Sequence, residues 1–81
     1  MQTRVHFYSY FKDLTGCPHA TVDLPPQSTV GDLHDLLMKQ FPKLADMKNS
    51  TLIAVDVEYQ NRQYSLHDQD SVSLFPPVQG G

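Results

Sequence analysis

The chain has 81 residues, of which 40% are hydrophobic and 19% charged, and six basic against nine acidic side chains give a net charge of −3. That length accommodates one domain with a thin core, and the composition is globular rather than disordered. The Lys and Arg residues (Arg4, Lys12, Lys39, Lys43, Lys48, Arg62) are scattered and form no basic stripe, which argues against a nucleic-acid surface. No apolar run approaches the ~20 residues of a membrane span. Met1-Gln2-Thr3-Arg4 leads straight into a strand pattern with no apolar signal segment, so a cytoplasmic location is expected. Cys17 is the single cysteine and rules out an internal disulfide. In the turn Thr15-Gly16-Cys17-Pro18 it has no basic neighbour to activate it and reads as a bystander thiol.

Val5-His6-Phe7-Tyr8-Ser9-Tyr10-Phe11 alternates and is built from strong strand formers. The alternation puts Val5, Phe7, Ser9 and Phe11 on one face and Arg4, His6, Tyr8 and Tyr10 on the other. Val5 and Phe7 are assigned to the core. Tyr8 and Tyr10 become amphipathic rings on the outer face, where such rings serve contact surfaces. Residues Asp13 to Pro18 read as loop and turn. Ala20-Thr21-Val22-Asp23-Leu24 alternates again and completes a hairpin with the first strand. Pro25-Pro26 ends it, because proline cannot donate to a ladder.

A helix of about twelve residues follows, with Val30, Leu33, Leu37 and Phe41 at helical spacing. Ser28 or Thr29 can cap it, and Asp32 lies three residues after Thr29, as in a capping box. Pro42 stops the helix by forcing Phe41 out of the α region. His34 flanks the stripe and reads as a surface or boundary residue. Lys43 to Ser50 is a connection with room for one short turn, plugged by Leu44 and Met47. Leu52-Ile53-Ala54-Val55 is a continuous apolar run, as in a central strand. Residues 56–62 are a turn with a short strand, Gln63-Tyr64 is a candidate for an additional short strand outside the main count, and residues 66–70 are a polar turn. Ser71-Val72-Ser73-Leu74-Phe75 is the last strand, with Val72 and Leu74 inward and Phe75 outward. The expected core is Val5, Phe7, Val22, Leu33, Leu37, Ile53, Val55, Val72 and Leu74. A hairpin, a helix and three further strands make an α+β domain over residues 1–75, a mixed sheet with one helix on one face. This order resembles that of the β-grasp, or ubiquitin-like, fold, which is the expected architecture.

Residues 76–81 form a tail. Pro76 and Pro77 fix φ and favour an extended course, whereas Gly80 and Gly81 have no Cβ and can pass a channel too narrow for side chains. Six residues beyond Phe75 reach at most roughly 20 Å. A stiff base with a flexible, carboxylate-bearing tip suits a chain end that is inserted into a partner and used there. His6, His19, His34 and His67 show no metal-ligand spacing, Asp68 and Asp70 read as a solvated turn, and no glycine loop cradles phosphate. The chain is therefore expected to bind no cofactor and no metal, and not to be an enzyme on its own.

Phe75-Pro76-Pro77-Val78-Gln79-Gly80-Gly81 resembles the C-terminus of the small subunits of molybdopterin synthase, the sulfur carriers of the MoaD family. Val5 to Ser9, Lys12 to Gly16, Thr29 to Leu33, and Leu66, Asp70 and Val72 extend the resemblance over nearly the whole chain. Ala54-Val55-Asp56-Val57-Glu58-Tyr59 matches as well, except that Asp56 stands where the family usually has Asn. The resemblance implies that an adenylating enzyme related to ubiquitin-activating enzymes joins the Gly81 carboxylate to AMP, using ATP and magnesium. A sulfur donor protein would then convert it to a thiocarboxylate. The tail of Pro76, Pro77, Val78, Gln79 and Gly80 would carry Gly81 into the large synthase subunit, in a complex with two copies of each chain. There the sulfur would pass to cyclic pyranopterin monophosphate and build the dithiolene of molybdopterin. Phe75, Tyr8 and Tyr10 would form the docking patch beside the tail root. Three alternatives share parts of this reading: a carrier for thiamine or cysteine synthesis, a ubiquitin-like protein modifier, and a binding module with an inert tail.

Overall fold

The computed structural model describes residues 1–77. Its elements are β1 (Gln2–Phe7), a short helix α1 (Phe11–Thr15), β2 (His19–Asp23), the main helix α2 (Val30–Gln40), a 3-10 segment over Pro42–Ser50, β3 (Leu52–Val55), β4 (Glu58–Tyr59) and β5 (Ser71–Phe75). The five strands form one sheet in the order β2-β1-β5-β3-β4. β1 pairs antiparallel with β2 and parallel with β5, and β3 pairs antiparallel with β5 and β4. This mixed sheet with one packed helix is the expected β-grasp arrangement.

All nine expected core residues are buried, and Val5, Leu33, Leu37, Val72 and Leu74 are completely so. Phe11, Leu24, Val30, Leu44 and Leu66 join them in one cluster. Thr3 is also fully buried on the inward face of β1. The first strand is shorter than its alternation suggests. It ends at Phe7, Ser9 takes a left-handed φ of 56°, and Phe11 enters the core from α1 instead of from the strand. Gly16 closes α1 with a φ of 78°, a conformation that glycine adopts without strain. Gln63-Tyr64 is not a strand; Ser65 makes an isolated bridge to Thr29 instead.

The start of α2 follows from its sequence. Thr29 accepts from the Asp32 amide while the Asp32 carboxylate accepts from the Thr29 amide, a complete capping box. Two more amides of the first turn have no partner inside a helix. Here Val30 N–H donates to the Tyr64 carbonyl and Gly31 N–H to the Arg62 carbonyl, each at 2.9 Å. A Cβ at Gly31 would lie 3.2 Å from that Arg62 oxygen, a tight contact that the 62–64 loop could accommodate only by moving a few tenths of an ångström, so glycine favours its close approach. Phe41 ends the helix, and its ring meets Phe7 edge-on at 5.7 Å.

Leu37 lies at the middle of the buried stripe, with no exposed surface. Leu37→Ala should cost about 2–5 kcal/mol in a urea titration. A loss well below 1 kcal/mol would show that the stripe of α2 does not anchor the core.

Candidate functional site

The site is the root of the C-terminal tail, set by three strands. β5 lies between β1 and β3, so the chain leaves the sheet from its centre. Leu74, facing the helix, is fully buried, and Phe75 alternates to the opposite, helix-free face. There the Phe75 ring stacks on Tyr8 at 4.7 Å with the planes 12° apart, and meets Tyr59 edge-on at 6.1 Å. The Tyr8 amide donates to the Leu74 carbonyl at 3.2 Å and holds the backbone of Tyr8 beside β5. Leu52 is paired directly with Phe75. Tyr8, Leu52 and Tyr59 are 43%, 37% and 66% exposed, so Phe75 is half-covered by rings that are themselves open to solvent. An apolar aromatic group of this kind is characteristic of docking surfaces.

Tyr8 and Phe75 thus meet as expected, but Tyr10 does not join them. Because β1 stops at Phe7, Tyr10 is the N-cap residue of α1, and its ring packs edge-on against Phe11 at 5.3 Å. Tyr59 takes its place in the cluster. The two-residue connection Asp56-Val57 folds β4 back on β3 and sets Tyr59 opposite Ala54. Asp56 adopts a φ of 57°, which Asp tolerates as well as Asn, so the departure at this position fits the turn. Its carboxylate also accepts from the Ser71 amide at 3.3 Å. Pro76 and Pro77 follow β5 and are half-buried. Val78, Gln79, Gly80 and Gly81 lie outside the described residues.

A second polar group lies on the helix side of the sheet. His34 is buried, with 3% of its surface exposed, not at the surface as its place beside the stripe suggests. Arg62 Nη1 lies 3.0 Å from His34 Nδ1, and Arg62 Nη2 donates to Asp35 Oδ1 at 2.9 Å. A guanidinium has donors only, so Nδ1 accepts and the ring proton is on Nε2. Nε2 has no partner among the described residues. This cluster fastens the 62–64 loop to α2; it contains no nucleophile. Cys17 is half-buried, with its sulfur 3.8 Å from the Thr15 oxygens. Among the described residues no group of three or more His, Cys, Asp or Glu side chains could hold a metal ion. No helix there is long and apolar enough to cross a membrane.

Fold and tail root together place the chain in the class of small ubiquitin-like domains. More narrowly, the chain belongs to the ThiS family, whose sequence pattern matches residues 5–81. A related protein of Arabidopsis thaliana, named molybdopterin synthase sulfur carrier subunit, is 27% identical over 81 residues, covering all of this chain and 84% of that one. Among solved structures, a putative molybdopterin converting factor subunit 1 of Pyrococcus furiosus superposes with a TM-score of 0.88 at 28% identity, over 96% of this chain and 99% of that one. The fold also matches, at 22% identity and a TM-score of 0.71 over the whole of both chains, a structure of the complex of subunits 1 and 2 of the molybdopterin-converting factor of Helicobacter pylori.

The His34 cluster predicts how stability responds to acid. Burial, and then the neighbouring Arg62 charge, push the His34 pKa below its usual value; Lys48 acts in the same direction and Asp35 in the opposite one. An unfolded histidine takes up its proton near pH 6.5, whereas folded His34 resists it. The unfolded state therefore binds more protons, and stability present above about pH 6.5 is lost as the pH falls toward the folded value, by at most about 1.4 kcal/mol per pH unit. The Arg62 hydrogen bond likewise holds Asp35 below the usual carboxylate range, but its effect belongs to more acidic solutions. Urea titrations between pH 7.5 and pH 5.5, values chosen to bracket about one unit either side of the free imidazole, should show this loss. His34→Asn keeps an acceptor for Arg62 and should flatten the dependence. An unchanged slope in that variant would mean that His34 is not its source.

Proposed function

We propose that the chain is the sulfur-carrier subunit of a molybdopterin synthase and that its working group is the Gly81 carboxylate. The observation that carries this reading is the tail root. In a ThiS-family domain, the Phe75-Pro76-Pro77-Val78-Gln79-Gly80-Gly81 segment begins on the central strand, with the Phe75 ring beside those of Tyr8 and Tyr59, which a partner can cover. The name of the Arabidopsis thaliana relative and the subunit complex of Helicobacter pylori support the same assignment.

The chemistry follows from the chain end. A carboxylate is a poor electrophile. Attack on the α-phosphorus of ATP, with magnesium, by way of an adenylating enzyme releases pyrophosphate and leaves an acyl-adenylate. The outer sulfur of a donor-protein persulfide then displaces AMP to give an acyl disulfide. A second thiol of the donor system cleaves its S–S bond, releasing the thiocarboxylate and leaving a disulfide on the donor side. Inside the large subunit this soft, tethered nucleophile meets cyclic pyranopterin monophosphate at high effective concentration. Two transfers complete the dithiolene. The domain supplies no acid, base or metal for these steps; it holds the reactive atom and aims it. Pro76 and Pro77 restrict the tail and lower the entropy lost when it threads into the partner. The Phe75, Tyr8 and Tyr59 rings hold the domain against the large subunit, in an assembly with two copies of each chain, while the tail is inserted. Carriers for thiamine or cysteine synthesis share the loading steps and differ in the partner that receives the sulfur.

Intact mass after incubation with ATP, magnesium, an activating enzyme and a sulfur source should show exchange of one oxygen for sulfur. Deleting Gly81, or adding one residue after it, should abolish that change while circular dichroism remains native. Normal loading of the extended protein would refute the assignment of Gly81.

Delivery is tested separately. Phe75→Ala should weaken binding to the large synthase subunit by more than about 1 kcal/mol in titration calorimetry, the usual threshold for a buried anchor. Native affinity in a folded variant would remove the aromatic group from the docking surface. Tight binding to a thiazole-forming partner alone would reassign the pathway.

A further inference from the structure

The fold brings together two histidines that sequence spacing keeps thirteen positions apart. His6 in β1 and His19 in β2 are direct cross-strand partners. The hydrogen bonds at the two ends of this ladder, Phe7 N–H to the Pro18 carbonyl and Leu24 N–H to the Met1 carbonyl, fix which pairs are of which kind. They put Phe7 and Pro18, and Met1 and Leu24, in hydrogen-bonded pairs. Alternation then makes His6 and His19 a non-hydrogen-bonded pair, the class whose Cα atoms lie only about 4.5 Å apart and whose side chains approach most closely.

Both rings lie on the helix-free face, since Val5 and Phe7 face the core. Their centroids are 6.2 Å apart with the planes inclined by 59°. His19 is exposed and His6 half-buried, and neither ring makes a hydrogen bond to another described residue. We propose that His6 and His19 form a two-imidazole clamp for a borderline divalent cation, Zn²⁺ or Ni²⁺.

Imidazole nitrogens bind such ions at about 2.0–2.1 Å, so a tetrahedral ion would hold the two ring centroids about 5 Å apart. The present spacing exceeds this by about 1 Å, which small χ rotations of surface side chains can close. The fixed cross-strand geometry supplies the preorganisation. Arg4, one step along the same face, is the opposing charge; it lines a surface hollow together with the oppositely charged Asp68 and Asp70. Two protein ligands leave further coordination positions open, directed away from the sheet. The pair also lies on the cross-sheet row that runs through Ser73 and Ala54 to Tyr59, and so on the face that carries the aromatic group. A thiolate, an imidazole or water can complete the ion there. The inference does not depend on the sulfur-carrier reading.

Zinc chloride and nickel chloride, each titrated into the full-length protein, test it. One ion per chain should bind, the imidazole nitrogen resonances of His6 and His19 should shift together with zinc and broaden together with paramagnetic nickel, and the thermal midpoint should rise because the ion binds the paired strands and not the unfolded chain. His6→Gln and His19→Gln should each weaken binding by at least about tenfold, because either leaves a single ligand. Circular dichroism and the ion-free thermal midpoint verify that both variants fold. His67→Gln is the control, since His67 beside Asp70 is another exposed imidazole, 3.7 Å from a carboxylate. Retained binding in both single variants, loss of binding only in His67→Gln, or no saturation below about 1 mM, the weakest affinity on the scale used for specific sites, would overturn the proposal.

Discussion

The parallel ladder between β1 and β5 is the pairing on which the other elements depend. It joins the first strand to the last, from Arg4 opposite Ser71 to Phe7 opposite Leu74. Parallel neighbours cannot be linked by a tight hairpin, so everything between them has to pass around: β2 to one edge, α2 across one face, β3 and β4 to the other edge. The same ladder sets Val5, Phe7, Val72 and Leu74 side by side in the buried cluster. Because β5 is central, the residue after Leu74 has neighbours on both sides. Tyr8 reaches Phe75 from the β1 side and Tyr59 from the side of β3 and β4. A tail leaving from an edge strand could be flanked on one side only.

Much of this was legible because period carries direction. Alternation in β1, β2 and β5 assigned Val5, Phe7, Val22, Val72 and Leu74 correctly, and Thr29, Asp32 and Pro42 marked the ends of α2. The end of β1 was not legible, for a specific reason. Phe11 points inward whether reached by continued alternation or by a turn into α1, so the pattern is the same for both. What ends the pairing is the partner: Pro18, opposite Phe7, has no N–H to give, and the chain turns at Ser9. His34 was misplaced because the residue that satisfies it, Arg62, is 28 positions later. Thr3 escaped the core assignment because a hydroxyl reads as polar, although its neighbours bury it completely with no partner for its oxygen among the described residues.

The candidate site divides along the same line. The Phe75-to-Gly81 motif is carried by consecutive residues, so it can be read directly from the chain. A surface assembled from several strands has no linear signature. Tyr10 was read as a neighbour of Tyr8 because both fall on one face of an idealised strand. Tyr59 was missed because its position depends on a two-residue turn whose register puts it opposite Ala54. His6 and His19 show the same effect, since only the β1–β2 register makes them neighbours.

The architecture also separates stability from chemistry. The buried cluster ends at Leu74, and the proposed reactive carbon lies beyond it on a segment that spans at most roughly 20 Å. On the proposed reading, loading of that carbon would need the tail to enter an activating enzyme, and delivery would need the same tail to enter a different partner. A reactive group fixed within the domain could be complementary to one such pocket only. A tethered group can serve both, provided that each partner recognises the rigid part independently. The two faces of the sheet are suited to that division. One is filled by α2, and the other has small residues at its middle, Ser73 and Ala54, with rings at the tail end. Ser73 and Ala54 are covered by their neighbours, and the exposed Tyr8 and Tyr59 rings beside Phe75 mark where the tail begins. On the proposed reading the domain would act on the chemistry through position alone, because the place where the aromatic patch docks would set where the tail begins.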